Sequence, residues 1–244
     1  TRVDIDNGIE KIGKNAFKNC TNLNRLFLGE QIETIDSGAF TLCYNLAEIC
    51  NTSDIVIETG KSGNGNVGYY AEKLVNTVNE FSTIEIDNGF VYKLGEEENL
   101  LCGYIGAETE ITLPESYKGK GYSINRYAFY DTGISVINLA ENTVEFDFLE
   151  YMDLEELHYP RSLADWCAFT WDEATYNPIK KDCVFYANDT AIEGDLTVDF
   201  DVNAYAFSGY PHITSLTITP NCKNIGAHAF EKTSTTNVVI QDGG

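Results

Sequence analysis

The sequence predicts an α/β repeat: a solenoid with a curved parallel β-sheet on one side, short helical or 3-10 segments on the other, and two insertions. Two observations carry this. IGKNAFKNCTNLNRLFLGEQIET (Ile12 to Thr34) is followed at once by IDSGAFTLCYNLAEI (Ile35 to Ile49), at an offset of 23 residues that pairs Ile12 with Ile35, Ala16 with Ala39, Phe17 with Phe40, Cys20 with Cys43, Leu23 with Leu46 and Leu26 with Ile49. The apolar positions keep this period while the polar ones drift, the mark of coils that bury their faces only by stacking. The second observation is local: Val3-Asp4-Ile5 and Leu26-Phe27-Leu28 alternate with period two, as a strand does when both aliphatics face a core.

Each unit has three parts. The Leu-x-Leu strand is followed by an Ile-x-x-Ile step that turns the corner. The Ala-Phe pair and the Cys-x-x-Leu after it then cover the far side of the core as a short helical or 3-10 segment, with Asp36 and Ser37 placed to cap its start. At about 1.5–3 kcal/mol per fully buried large side chain, apolar contact alone holds neighbouring coils together, so the fold needs no cofactor.

After Ile49 the pattern is interrupted. Ile55-Val-Ile57 keeps strand character, Gly60 to Gly68 reads as a flexible loop, Tyr69 to Glu80 as a helix, and Thr83 to Ile86 as the next ladder strand. Asn88-Gly89 is a hairpin-turn signal, with Phe90 to Lys93 and Leu100 to Tyr104 on either side of the acidic turn Glu96 to Asn99. Ile111-Thr-Leu113 is again a ladder strand. The period returns at Ile124, Ala128, Phe129, Ile134, Ile137 and Leu139, and again at Phe148, Leu154, Leu157 and Tyr159. A second insertion carries Trp166, Trp171, Asn177-Pro178 and the apolar run Val184 to Ala187. Leu196-Thr-Val198 restores the strand, and Val202, Ala206 and Phe207 recur as Ile225, Ala229 and Phe230. The chain thus divides into N-terminal repeats (1–57), an insertion of Gly-rich loop, helix and β-hairpin (58–123), central repeats (124–160), a Trp-containing insertion (161–195) and C-terminal repeats (196–244). All lie on one continuous solenoid that reads as truncated at both ends.

Composition narrows the function. A net charge of −22 argues against nucleic acid, since neutralising phosphates takes Lys and Arg that this chain lacks. No apolar run reaches the roughly 18 residues of a membrane span, so no membrane insertion is expected. Of the seven cysteines, Cys20 and Cys43 occupy a repeat position that suits a small buried residue, and Cys222 stands in the slot of Ile9 and Ile32. Cys50, Cys102, Cys167 and Cys183 follow no metal-ligand spacing, and a Cys167–Cys183 disulfide is left open.

Four patterns invite a chemical reading. Gly63-x-Gly65-x-x-Gly68 has the spacing of a dinucleotide loop, yet no series of βαβ units surrounds it, and a flexible loop is the better account. Asp199-x-Asp201-x-Asn203 opens like a calcium loop, but Ala204 and Tyr210 replace the required Gly and Glu, which leaves an acidic inter-repeat turn. His158, His212 and His228 fall in separate repeats without a nucleophile partner, so neither a triad nor a zinc site follows. Trp166, Phe169 and Trp171 read as a small core anchoring the insertion before they read as a platform for sugar or peptide.

The combination IGxxAFxxCxxLxxLxL, over Ile12 to Leu28, Ile35 to Ile49, Ile124 to Leu139, Val202 to Ile218 and Ile225 to Ile240, resembles the BspA-like leucine-rich repeats. The resemblance implies a leucine-rich-repeat solenoid in a bacterial protein that is secreted or displayed at the cell surface, in a family some of whose members are adhesins. It supplies no catalytic motif and no cofactor. The expected function is therefore non-enzymatic recognition of a protein or glycan ligand on host or neighbouring cells. Outward ladder positions line the expected binding face, with Arg25, Phe27, Glu48, Asn138, Glu156, His158 and Thr217 as candidate ligand residues. A structural spacer presenting other domains is the second reading, and a nucleotide-dependent enzyme using the Gly63–Gly68 loop is the remote third.

Overall fold

In the computed structural model, which describes residues 2–81, 84–171, 177–179 and 182–242, the chain forms two compact units: Thr1–Ala107 with Ser116–Thr132, and Glu108–Glu115 with Gly133–Gly244. Each is built mainly from short strands stacked coil upon coil.

In the first unit, β1 (Arg2–Ile5), β3 (Arg25–Leu28), β5 (Glu48–Asn51) and β6 (Lys73–Val75) form one parallel sheet, while β2 (Lys11–Ile12) and β4 (Thr34–Ile35) pair at the corner. The strand register reproduces the sequence period: Val3 pairs with Leu26, Leu26 with Ile49, and Ile12 with Ile35. Leu26, Leu28 and Ile49 are fully buried, and Leu23, Ile32, Phe40, Cys43 and Leu46 complete the same core. The strand's period-two alternation therefore sets which residues face inward, and the coil spacing sets which residue each one meets.

The opposite side of each coil is a run of turns. The 3-10 character is present as i→i+3 hydrogen bonds, with Ala16, Cys20 and Leu23 donating to the carbonyls of Gly13, Phe17 and Cys20. Left-handed residues interrupt it at Asn15 and Asn19, and 23 residues later at Gly38 and Leu42. Each interruption turns alternate N–H groups towards the next coil: Phe17 donates to Ala39 at 2.8 Å, Asn19 to Thr41 at 2.8 Å and Phe40 to Gly65 at 2.8 Å. A regular helix would keep those donors inside its own coil. The second unit repeats the device, with left-handed Tyr205, Gly209, His228 and Lys232 and with Phe207 donating to Ala229 at 2.8 Å.

Two expectations are corrected here. The stretch Tyr69 to Glu80 is not a helix: Lys73–Val75 is β6, pairing in parallel with β5 through Leu74 and Ile49, and Val78–Glu80 is a single 3-10 turn. Continuing the ladder satisfies β5's free edge, which outweighs the local helix propensity of YYAEKL. Ile84 to Ile86 does not join the ladder either. β7 (Ile84–Asp87) pairs antiparallel with β8 (Phe90–Lys93), because Asn88 and Gly89 both take the positive φ of a two-residue hairpin turn. Thr83, placed in the same strand by the sequence, lies outside the described residues. β8 pairs with β9 (Asn99–Tyr104), as the sequence predicts. β10 (Glu110–Thr112) belongs to the second unit, while β11 (Tyr122–Ile124) returns to pair in parallel with β9.

In the second unit, β10, β12 (Val136–Asn138), β13 (Glu156–Tyr159) and β14 (Val184–Ala187) form a parallel ladder, and β15 (Thr190–Ala191) folds back on β14. Ile111, Ile137, Leu157 and Phe185 make its buried inner row. A second sheet holds β16 (Gly194–Val198), β17 (Ile213–Ile218) and β18 (Asn237–Ile240). The helix α1 (Leu163–Ala168) starts at a capping box between Ser162 and Asp165. Its Trp166 is fully buried and donates to Ala206 at 3.0 Å, so the aromatic cluster anchors the insertion to the next coil. All seven cysteines are free thiols, and burial pushes Cys167 and Cys183 up to about 12.

Candidate ligand face

The outward side of each ladder is built by the residues between the buried aliphatics. On the first unit, β1, β3, β5 and β6 align Arg2, Arg25, Glu48 and Lys73 in one row, and Asp4, Phe27, Cys50 and Val75 in the next. The middle of this face is closed. Glu48 is wholly buried, with Lys73 Nζ 3.3 Å and Arg25 Nε 3.5 Å from its two oxygens. Phe81 lies beneath the Arg25 guanidinium at 4.3 Å and the Arg2 guanidinium at 5.3 Å, and Lys73 Nζ also donates to Glu80 O at 2.9 Å. Burial lowers the Arg25 pKa, and the Glu48 carboxylate opposes that shift. Glu48 is thus no accessible ligand residue, although Arg2 and Lys73 at the two ends of its row keep 42% and 39% of their side chains exposed. Arg25 is mostly covered, while Phe27 stays half-buried.

On the second unit the ladder brings Asn138, Glu156 and His158 together. Asn138 and His158 are directly paired across β12 and β13, and Glu156 stands opposite Val136. His158 Nε2 lies 2.9 Å from Glu156 Oε2, and the imidazole stacks on the Tyr186 ring with centroids 4.2 Å apart and planes 6° apart. Asn138 Nδ2 donates to the Ile111 carbonyl at 3.2 Å. The side chains of His158 and Glu156 remain 26% and 39% exposed, so this row is ordered yet reachable. Thr112, Asn138, His158 and Tyr186 form one continuous line across four strands. Thr217 sits apart from it in the other sheet, between Thr197 and Val239.

Tyr186 is the residue that sequence reasoning missed. Val184 to Ala187 reads as an apolar run, but its alternation places Phe185 and Ala187 inward and leaves Tyr186 in line with His158. The same alternation in Glu156 to Tyr159 is the signal that could have found it.

The glycine-rich loop has no phosphate cradle. Gly65 takes φ +65°, its carbonyl accepts the Phe40 N–H, and a Cβ there would run into the Asp36 carbonyl and lie 2.9 Å from the Ala39 Cβ. A Cβ on Gly68 would strike the Glu58 carbonyl. Gly65 serves close approach between coils and Gly68 a close pass within its own coil, and the helix N-terminus that a pyrophosphate needs is replaced by turns and β6. Gly65→Ala is therefore expected to destabilise the first unit by about 2–3 kcal/mol through left-handed strain and overpacking. Thermal unfolding would test this, and an unchanged midpoint would detach the loop from the coil stack. In the calcium-like stretch, Asp201 Oδ1 accepts the N–H groups of Lys223 and Asn224 at 2.7 and 2.9 Å, an inter-coil link. Among the described residues no group of three or more His, Cys, Asp or Glu side chains is arranged to hold a metal, and no helix is long and apolar enough to cross a membrane.

Parallel ladders with an aliphatic inner row and a turn layer bonded from coil to coil define a leucine-rich-repeat solenoid. The family profile described as BspA type Leucine rich repeat region, in six copies, matches residues 1–62 and 179–243, just over half of the chain, and the chain belongs to that family. Two solved bacterial proteins are similar. A leucine-rich repeat protein from Eubacterium ventriosum shares 14% identity at a TM-score of 0.39, covering 96% of this chain and 83% of its own. A leucine rich cell surface protein from Faecalibacterium prausnitzii shares 13% identity at a TM-score of 0.30, covering 100% and 79%. Among curated proteins none matches the sequence.

Proposed function

We propose that this chain is a non-enzymatic recognition module of a secreted or surface-attached bacterial protein, binding a macromolecule through the outward face of β10, β12, β13 and β14. The ligand class is a matrix protein, a mucin or other glycan, or a component of a neighbouring cell. The observation that carries the reading is the line Thr112, Asn138, His158, Tyr186. A backbone ladder fixes these side chains at the roughly 4.8 Å strand spacing, so little ordering entropy is lost when a partner lands on them. Its mixture of amide, imidazole, phenol and the adjacent Glu156 suits the many weak, dispersed contacts of a protein or glycan better than one small charged metabolite. The half-buried Phe27 on the first unit and Thr217 on the second sheet are separate candidate contacts, each on its own face.

The test is binding of the immobilised chain to a panel of matrix proteins, mucins and glycans, with NAD and ATP as small-molecule controls. Saturable binding to one macromolecule is expected, weakened at least about tenfold by Tyr186→Ala or His158→Ala, as for residues central to an interface. Glu231→Lys, in the turn layer, should leave it unchanged. Silence across the panel from folded protein would favour the spacer, and saturable nucleotide binding would overturn the non-enzymatic reading.

A further inference from the structure

We propose that Cys20 and Cys43 form an oxidation site, closing to a disulfide that pins the first two coils together on their turn side. The two residues hold the same place in successive coils, 23 positions apart. Coil-to-coil hydrogen bonds just before them, Phe17 N–H to Ala39 O and Asn19 N–H to Thr41 O, both at 2.8 Å, hold the two turn runs side by side. Three residues before the cysteines, Phe17 and Phe40 stack with ring centroids 5.1 Å apart, so side chains at equivalent positions of the two coils meet. A disulfide spans Cα atoms about 4.4–6.8 Å apart, a range that includes the roughly 4.8 Å spacing of hydrogen-bonded neighbouring chains.

One carbonyl draws the two residues together. Cys43 Sγ donates to Phe17 O at 3.1 Å, and the Cys20 N–H donates to the same oxygen at 3.2 Å, so the sulfur of one cysteine lies beside the backbone of the other. Their exposures differ in a useful way: Cys20 is exposed and Cys43 buried. Cys50, on β5, is flanked in its neighbouring strands by Phe27 and Val75.

The chemistry needs an oxidant, here a small disulfide such as glutathione disulfide. The Cys20 thiolate, the reachable one, attacks a sulfur of that disulfide. The S–S bond breaks, one glutathione thiolate leaves, and a mixed disulfide remains on Cys20. Cys43 then gives up its proton to solvent and its hydrogen bond to Phe17, and its thiolate attacks the Cys20 sulfur, expelling the second glutathione. Two protein thiols are oxidised to one disulfide, and one glutathione disulfide is reduced to two thiols. Burial pushes the Cys43 thiol up to about 12, so the second step should be the slower.

The test is to incubate the folded chain with glutathione disulfide, then unfold, alkylate, digest and map it by mass spectrometry. A peptide linking Cys20 to Cys43 is expected, at a yield independent of protein concentration and reversed by dithiothreitol. The oxidised chain should melt at least about 3 °C higher than the reduced one, the direction a cross-link between coils gives. Cys20→Ser, at an exposed site that should leave the fold intact, should lack both the link and the shift. A lasting glutathione adduct on Cys20 with Cys43 still alkylated, a Cys20 link between two chains, or full alkylation of both thiols would each overturn the proposal.

Discussion

Phe40→Ala is expected to destabilise the first unit by about 3–5 kcal/mol, the range for truncating a fully buried phenylalanine. Phe40 has no solvent exposure, its ring stacks on Phe17 at 12° between planes, and its N–H is tied to Gly65 in the next coil. The substitution opens a cavity between two coils that nothing nearby can collapse to fill, since the turn layer is fixed by hydrogen bonds on both sides. Phe17→Ala should cost less, because Phe17 is only half-buried. Urea unfolding gives the comparison, with a lower midpoint at unchanged slope marking a loss of stability alone. If Phe40→Ala proved neutral, the Ala-Phe layer would lie outside the core and the repeat alignment would be wrong.

The contrast between Phe17 and Phe40 shows what kind of information the sequence holds. Period and register were legible because they depend on inward aliphatics repeated every coil: Ile12 with Ile35 and Leu26 with Ile49 are partners in the sequence offset and in the sheet. Burial differs between copies of the same repeat position, which the period alone does not encode: Cys20 is exposed and Cys43 buried, and Ile9 is 48% exposed where Ile32 is 2%.

The turn layer was half legible. Its left-handed positions recur four residues apart in four coils, at 15 and 19, 38 and 42, 205 and 209, and 228 and 232, but glycine or asparagine occupies only some of them. Leu42, Tyr205, His228 and Lys232 carry the same backbone with no residue-level signal. A left-handed L-residue costs roughly 1–2 kcal/mol, and here the coil-to-coil hydrogen bonds on either side offset it, an interaction set by neighbours about 23 positions away. The candidate face divides in the same way. Alternation placed Asn138, Glu156 and His158 on one side of a ladder, but could not register Tyr186 from a later strand, nor foresee that Phe81 would pack on the Arg25 guanidinium beside Glu48.

Glu48→Ala should have an effect as large as the loss of Phe40, about 3–5 kcal/mol, since removing one member of a buried ion pair strands its partner. The burden falls on Arg25, whose side chain is only 16% exposed, whereas Lys73, at 39%, can rehydrate. Lys73→Met should therefore be the milder change, and Arg25→Met combined with Glu48→Met milder than Glu48→Ala, because the pair is then replaced by apolar volume with no charge left behind. A double-mutant cycle on Arg25 and Glu48 isolates their coupling from the packing each supplies. The result also bears on recognition. The ion cluster holds the Phe81 segment against the outward row of the first unit, through the two guanidinium contacts and the Lys73 bond to Glu80. A near-neutral Glu48→Ala would mean that this segment is not seated in solution. The row of Arg25, Phe27 and Glu48 would then be open, a surface of the first unit on which a ligand can land.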